Sequence, residues 1–231
     1  MPIKAVVFDL DGTLAEFNVD YRTVRAEVMQ FLSHQGLPAS IFSIHESIFE
    51  MLKKSKVYMR NNGKNEQEFA ALQQHALSIA LKHELKAARE TTLLPGVTEM
   101  LKALRQMGLK LAIFTINGEK SANLILERFR LKPFFEAVIT REAVAKVKPD
   151  PAHLAAALRS LNVTAEETVV IGDGVTDMKS AKALSAHAIG LITDEQGASK
   201  LNHAGATYTI KSITEAPILI REISQDKLES S

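Results

Sequence analysis

The stretch AVVFDLDGTL (residues 5–14) joins an apolar segment to two carboxylates. The letters AVVF are the kind of short, β-branched run that is typical of a strand covered on both faces. Asp9 and Asp11 follow at once, and Gly12 and Thr13 come next. An Asp-Gly pair also favours a hairpin turn. The stretch alone therefore has two interpretations: an ordinary corner, or two side chains aimed at one ligand.

The composition is that of an ordinary globular protein and excludes several kinds of site. The chain has 231 residues, of which 46% are hydrophobic and 24% charged, so it can bury a sizeable core. Its formal net charge of +1 favours neither nucleic acid nor a membrane surface as a partner. The lack of cysteine excludes disulfides and thiolate catalysis. Since we find no signal peptide and no apolar run of about 20 residues, we expect a cytoplasmic protein without membrane spans.

The order of the elements predicts a doubly wound, Rossmann-like α/β core with a helical insertion. Strands alternate with helices from residue 95 onward, which favours a parallel sheet covered on both faces. Before that, apolar residues recur at helical spacing, for example from Ile41 to Leu52. Asn65 and Glu68 fit a capping box that opens a further helix. We therefore predict a core of residues 1–14 and 95–231 and an all-helical cap domain of residues 15–94.

Polar side chains follow several predicted strands or lie in the loop before a helix. In an open parallel sheet, ligands bind beyond the carboxyl ends of the strands. The polar residues in these positions are Asp9, Asp11, Thr115, Asn117, Lys148, Asp173 and Asp177. We therefore expect them to converge on one edge of the sheet.

These residue types suit a phosphate held beside a hard cation. The four aspartates of the set would repel one another without a cation, and oxygen ligands suit Mg²⁺. The Thr115 hydroxyl and the Lys148 ammonium suit a phosphate. The backbone N–H groups after Gly12 and Asn117 do so as well. The first two aspartates are two residues apart and point to the same side of an extended backbone, so one can attack phosphorus while the other transfers a proton.

Four segments, in order along the chain, resemble the four motifs of the haloacid dehalogenase-like hydrolase superfamily. They are DLDGT (9–13), IFT ending at Thr115, Lys148 in KPDP, and GDGVTD (172–177). The helical insertion resembles the first-type cap of the phosphoglycolate phosphatase-like branch, and LLPGV (93–97) stands where that branch returns to its core. Four motifs in order are a specific signal. One departure is Ile116, which stands where much of the branch has Asn, so that Asn117 follows one residue later.

The resemblance implies the catalytic and metal-binding roles. Asp9 would be the nucleophile that forms an aspartyl phosphate, and Asp11 would be the general acid/base. Mg²⁺ would be bound by the carboxylates of Asp9 and Asp173 and by the backbone carbonyl of Asp11. Asp177 would support the metal shell or hold Lys148.

The same reasoning predicts the contacts to the substrate. Thr115 and Lys148 would grip the phosphate, and Gly12 and Asn117 would add to its binding site. In the cap, Arg22 is the candidate for a contact with the rest of the substrate, because it is close in sequence to the first motif.

Taken together, we predict a Mg²⁺-dependent phosphoric monoester hydrolase for a small phosphorylated metabolite, phosphoglycolate-like or a sugar phosphate. Asp11 favours phosphate hydrolysis, because dehalogenases of the superfamily lack this aspartate. Two alternatives stay open: a phosphosugar mutase of the same superfamily, and a catalytically quiet regulatory or scaffold relative. We expect no nucleic acid or membrane partner, and a monomer or homodimer.

Overall fold

The computed structural model describes residues 2–16, 19–192 and 197–229, the last four of these as backbone only. In chain order, the strands and α-helices of the described residues are β1 (Ala5–Phe8), α1 (Tyr21–His34), α2 (Ile48–Asn61), α3 (Glu66–Glu90), α4 (Val97–Gln106), β2 (Lys110–Phe114), α5 (Glu119–Arg128), β3 (Ala137–Ile139), α6 (Pro151–Leu161), β4 (Thr168–Gly172), α7 (Val175–Leu184), β5 (His187–Leu191), α8 (Gly197–Ala204), β6 (Tyr208–Ile210) and α9 (Ala216–Glu229). Within these limits, no helix combines the length and the apolar character that crossing a bilayer requires.

The six strands form one parallel sheet in the order β3-β2-β1-β4-β5-β6. The first strand lies in the middle, where Phe8 is paired with Ile113 of β2 on one side and with Ile171 of β4 on the other. All four residues of β1 are fully buried, as a strand covered on both faces requires.

Alternate side chains of β1 enter the two apolar layers that cover the sheet. Val6 and Phe8 pack in a cluster with buried residues of α4, α5 and α9. Ala5 and Val7 pack in a second cluster with buried residues of α6, α7 and α8. The predicted fold class, a doubly wound α/β core with a helical insertion after its first strand, is confirmed.

The chain divides into two compact units. One comprises Met1–Phe17 and Ala88–Ser231, and the other comprises Asn18–Ala87. The first contains the sheet, and the second contains α1, α2 and most of α3. The assignment of residues 15–94 as a cap domain stays a prediction.

The helical unit has an apolar core of its own, formed by residues that recur at helical spacing along its helices. The predicted capping box is confirmed: the N–H of Glu68 donates to Asn65 Oδ1, and the N–H of Asn65 donates to Glu68 Oε2. The expected helix from Ile41 onward is wrong in its start, because α2 begins at Ile48 after a cap by Ser47.

Candidate active site

Two aspartates follow neighbouring strands of the sheet at their carboxyl ends. Asp9 comes directly after Phe8, and its N–H still donates to the carbonyl of Ile171 at 2.9 Å. Asp173 follows β4 directly. Because β1 and β4 run parallel and side by side, both carboxylates are delivered to the same edge of the sheet.

A third carboxylate joins them from the first turn of α7. Asp177 is fully buried, and one oxygen each of Asp9, Asp173 and Asp177 lie within 4.8 Å of one another. Asp177 Oδ2 accepts a hydrogen bond from the N–H of Gly174 at 3.0 Å, which ties its carboxylate to the loop after β4.

The turn after Asp9 leaves space for the carboxylate of Asp173. Gly12 has a φ of +71°, and a Cβ built on it would lie 2.2 Å from Asp173 Oδ2. Thr13 Oγ1 donates to the other oxygen, Asp173 Oδ1, at 3.1 Å. A side chain at position 12 would therefore strain the backbone and displace the carboxylate at the same time.

Lys148 joins two of the carboxylates. Its Nζ lies 2.6 Å from Asp9 Oδ1 and 2.6 Å from Asp177 Oδ1, and 4.4 Å from the centre of the Phe114 ring. Burial by itself lowers the pKa of Lys148, but the charges of Asp177 and Asp9 more than offset this, so its pKa lies above the usual range. The side chain is therefore a fixed positive charge at the end of β1.

His153 holds the loop that carries Lys148, a role that the spacing of the histidines in the sequence does not predict. The backbone N–H of Lys148 donates to His153 Nδ1 at 3.2 Å, while Nε2 lies 3.0 Å from the carbonyl of Ile139. These two bonds require the neutral ring with its proton on Nε2. Burial lowers the pKa of His153 to about 4, which keeps the ring neutral. The signal in the sequence is weak: a histidine in the first turn of the helix after KPDP.

The loop after β2 brings Thr115 and Asn117 to the first motif. Both residues are buried. Thr115 Oγ1 accepts a hydrogen bond from the N–H of Asn117 at 3.2 Å. Asn117 Nδ2 donates to Asp11 Oδ1 at 2.9 Å, whereas Asn117 Oδ1 is buried and has no hydrogen-bond partner in the described part of the chain.

Arg141 braces this loop and was also missed. Its N–H is 3.4 Å from the carbonyl of Asn117, and its Nη1 donates to the carbonyl of Ile116 at 3.2 Å. The next residue, Glu142, accepts from the N–H of Glu119 at 3.0 Å. Arg141 follows β3 closely, so an inspection of the polar residues after that strand would have found it.

The charges in this cluster fit a divalent cation. Three carboxylates and one ammonium leave two negative charges without a counter-charge in a buried site. Burial raises the pKa of Asp9 and of Asp173, and it raises that of Asp177 to about 6. Both oxygens of Asp177 already accept hydrogen bonds, so Asp9 and Asp173 are the carboxylates best placed to hold a metal.

Arg22 lies in the helical unit, in the first turn of α1, where it is exposed. Its backbone N–H donates to Asp20 Oδ1 at 3.1 Å, which is part of the helix cap. Its role as a substrate contact stays a prediction.

Comparisons with known proteins identify relatives over most of the chain. A phosphoglycolate phosphatase of Nitrosospira multiformis is 29% identical over 189 residues, which are 81% of this chain and 82% of that enzyme. A phosphoglycolate phosphatase of Caulobacter vibrioides is 27% identical and covers 92% of this chain and 88% of its own length. The crystal structure of a hydrolase from Pseudomonas syringae has a TM-score of 0.69 and 26% identity, with 96% of this chain and 99% of that one covered.

A sequence model of one protein family matches most of the chain. The model is described as haloacid dehalogenase-like hydrolase and matches residues 3–185, which include all four motifs. The resemblance and the expectation of an enzyme of this class are thereby confirmed. The aspartates at the strand ends and the buried lysine agree with this match. The chain belongs to the haloacid dehalogenase-like hydrolase family.

Proposed function

We propose that this chain is a Mg²⁺-dependent phosphatase that hydrolyses a small phosphorylated metabolite through a phosphoryl group on Asp9. One observation carries the proposal: Asp9 Oδ1 accepts from the N–H of Leu10 at 2.7 Å and from Lys148 Nζ at 2.6 Å. In the described part of the chain, no donor is bonded to Asp9 Oδ2. This second oxygen is therefore the one available to attack phosphorus.

The reaction then runs in two steps. In the first, Asp9 Oδ2 bonds to phosphorus while the bond to the leaving oxygen breaks, and Asp11 gives that oxygen a proton. In the second, Asp11 takes a proton from water, whose oxygen bonds to phosphorus as the bond to Asp9 breaks. The products are an alcohol and inorganic phosphate, and both aspartates return to their starting state.

The metal would be held by Asp9 and Asp173, with the backbone carbonyl of Asp11 as a further ligand. When bound, Mg²⁺ neutralises charge on the phosphoryl oxygens. Lys148 adds a second positive charge at a fixed place, and Asp177 keeps it there through the bond at 2.6 Å.

The phosphate site would comprise the Thr115 hydroxyl, Lys148 and the backbone N–H groups after Gly12 and Asn117. Such a set is needed because phosphate monoesters hydrolyse very slowly, with enzymatic accelerations up to ~10²¹. Proton transfer supplies only about 10²–10⁴ of this factor. The remainder has to come from a positioned nucleophile and from charge neutralisation.

The names of the relatives support a phosphoglycolate-like substrate for this chain. We further propose that the helical unit acts as the cap and that Arg22 contacts the substrate. A cytoplasmic location and a monomeric or homodimeric state stay predictions.

The proposal is tested by the release of phosphate from p-nitrophenyl phosphate with and without Mg²⁺. Wild type should be active only with the metal, and Asp9→Asn should lose at least about 10³-fold in kcat, since no nucleophile is left. The matched control is Glu127→Gln, which makes the same chemical change on an exposed helix position and should keep full activity. Equal activity of Asp9→Asn and wild type would show that Asp9 is not the nucleophile.

Product analysis separates the two enzymatic alternatives. Free phosphate formed in proportion to the substrate consumed supports a phosphatase. An isomerised sugar phosphate without free phosphate would identify a mutase instead.

A further inference from the structure

The side chain of Asn117 makes a hydrogen bond that phosphate binding does not require. Asn117 is 1% exposed and lies two residues after Thr115. Its Nδ2 donates to Asp11 Oδ1 at 2.9 Å, although 106 positions separate the two residues in the chain. The amide therefore bonds to a carboxylate of the first motif from the loop after the neighbouring strand.

The backbone of Asn117 is held at both ends of the residue. Its N–H donates to Thr115 Oγ1 at 3.2 Å, and its carbonyl faces the N–H of Arg141 at 3.4 Å. The guanidinium of Arg141 also donates to the carbonyl of Ile116 at 3.2 Å. The side chain of Asn117 thus starts from a fixed backbone, so the place of its Nδ2 is set before any substrate binds.

The orientation of the amide fits the carboxylate form of Asp11. Asn117 Oδ1 is buried without a hydrogen-bond partner in the described part of the chain. Turning the amide over would point this oxygen at an oxygen of the ionised carboxylate, with no hydrogen atom between them. A buried carbonyl without a donor lowers stability, so the residue is poorly explained by packing alone.

We infer that Asn117 is a positioning residue that holds the Asp11 carboxylate in place for proton transfer to the leaving oxygen. The inference rests on the proposed function, in which Asp11 is the general acid/base. Because Nδ2 donates to Oδ1 of Asp11 at 2.9 Å, the hydrogen bond fixes the orientation of the carboxyl group that transfers the proton. In the first step that proton moves to the leaving oxygen as its bond to phosphorus breaks, and the Asp11 carboxylate that remains keeps the hydrogen bond from Asn117.

This role differs from phosphate binding in what it predicts for different leaving groups. An alkoxide is a poor leaving group and needs the proton of Asp11 as it departs. The p-nitrophenolate anion is stable and departs without one. A residue that positions the acid therefore matters for an alkyl phosphate only, whereas a residue that grips phosphate matters equally for both substrates.

The experiment compares kcat/KM for phosphoglycolate, or another alkyl phosphate that wild type hydrolyses, with kcat/KM for p-nitrophenyl phosphate. This constant covers the steps up to the departure of the leaving group. Asn117→Ala should lower it about 30- to 100-fold for the alkyl phosphate and less than about 3-fold for the aryl phosphate, since proton transfer supplies about 10²–10⁴. Asn117→Leu, which has nearly the same shape but no Nδ2 donor, should show the same selective loss.

The control is Thr13→Val, which removes a hydrogen bond to Asp173 and should affect both substrates equally. Thermal unfolding verifies that each variant is folded, and Asn117→Leu, which fills nearly the same space, serves if Asn117→Ala is unstable. Equal losses on both substrates, or no loss on either, would overturn the inference. An active Asp9→Asn would overturn the proposed function as well, so the two failures are distinguishable.

Discussion

Two lysines, one in each unit of the chain, form ion pairs of nearly the same length in very different surroundings. Lys148 Nζ lies 2.6 Å from Asp177, and their side chains are 2% and 0% exposed. Lys64 Nζ lies 2.7 Å from Glu68, and their side chains are 54% and 40% exposed. The distance therefore does not distinguish the two pairs, but the access of water does.

Burial makes the residues of the first pair depend on one another. Water and salt screen the pair on the helical unit, so removing one residue of the pair changes the free energy of the other only slightly. In the core, each charge has lost its hydration and is stabilised mainly by its partners. We therefore expect changes in the core site to have large and coupled effects, and matched changes in the helical unit to have small and local ones.

The largest effect is expected for Lys148→Met. It leaves Asp9 and Asp177 close together without the ammonium, so the free energy of unfolding at pH 7 should fall by about 3–5 kcal/mol. Lys64→Met should not differ measurably from wild type. Urea unfolding of the three proteins measures this, and similar stabilities for both variants would contradict the contrast drawn above.

Gly12→Ala should follow, compared with Gly63→Ala. Both glycines have positive φ, +71° and +77°, but a Cβ on Gly63 meets no atom within 4 Å. Gly63→Ala should therefore cost only the backbone strain, about 1–2 kcal/mol. Gly12→Ala should in addition push Asp173 away and weaken Mg²⁺ binding about 10- to 100-fold. Calorimetric titration with Mg²⁺ measures the affinity, and an unchanged value would exclude Asp173 as a ligand.

The pH dependence of His153 should be smaller. Its pKa is about 4 in the folded chain against 6.5 ordinarily, so below pH 6.5 the unfolded chain takes up a proton that the folded chain does not. This residue alone should therefore lower the free energy of unfolding by about 2 kcal/mol between pH 7 and pH 5. In His153→Gln that part of the pH dependence should be absent, whereas His203→Gln, at an exposed position, should follow wild type. Equal slopes of the free energy of unfolding against pH in all three proteins would refute this contribution of His153.

The smallest effect is expected for Asn65→Ala, which removes the cap of α3. The lost hydrogen bond to the N–H of Glu68 should cost about 1 kcal/mol, because one backbone donor at the helix start is left to water. Asn65→Asp should retain most of the stability. Thermal unfolding of both variants would show whether the cap matters more here than the neighbouring ion pair.

Local patterns predicted the strands and the edge of the site well. The run TVVIG coincides with β4, because a short β-branched run bounded by turn residues has few other solutions. The helix expected from Ile41 began only at Ile48, since apolar spacing continued across a turn and the cap at Ser47 decided the start.

The contacts between distant segments were beyond local patterns. The bonds of Thr13 to Asp173 and of Asn117 to Asp11 join residues whose separation in the chain carries no periodic signal. The same holds for Arg141, which donates to the loop after β2. It lies beside this loop because β3, the strand before it, pairs with β2. Strand ends indicated which residues meet, but tertiary packing determines which atoms bond.

The central place of β1 has a consequence for how the protein is made. During synthesis, β1 leaves the ribosome before its two neighbours in the sheet, which follow roughly 100 and 160 residues later. The helical unit, which has its own core, can fold in this interval, while β1 still lacks its neighbouring strands. The carboxylate cluster of the nascent chain is therefore completed late, once Asp173 and Asp177 have emerged.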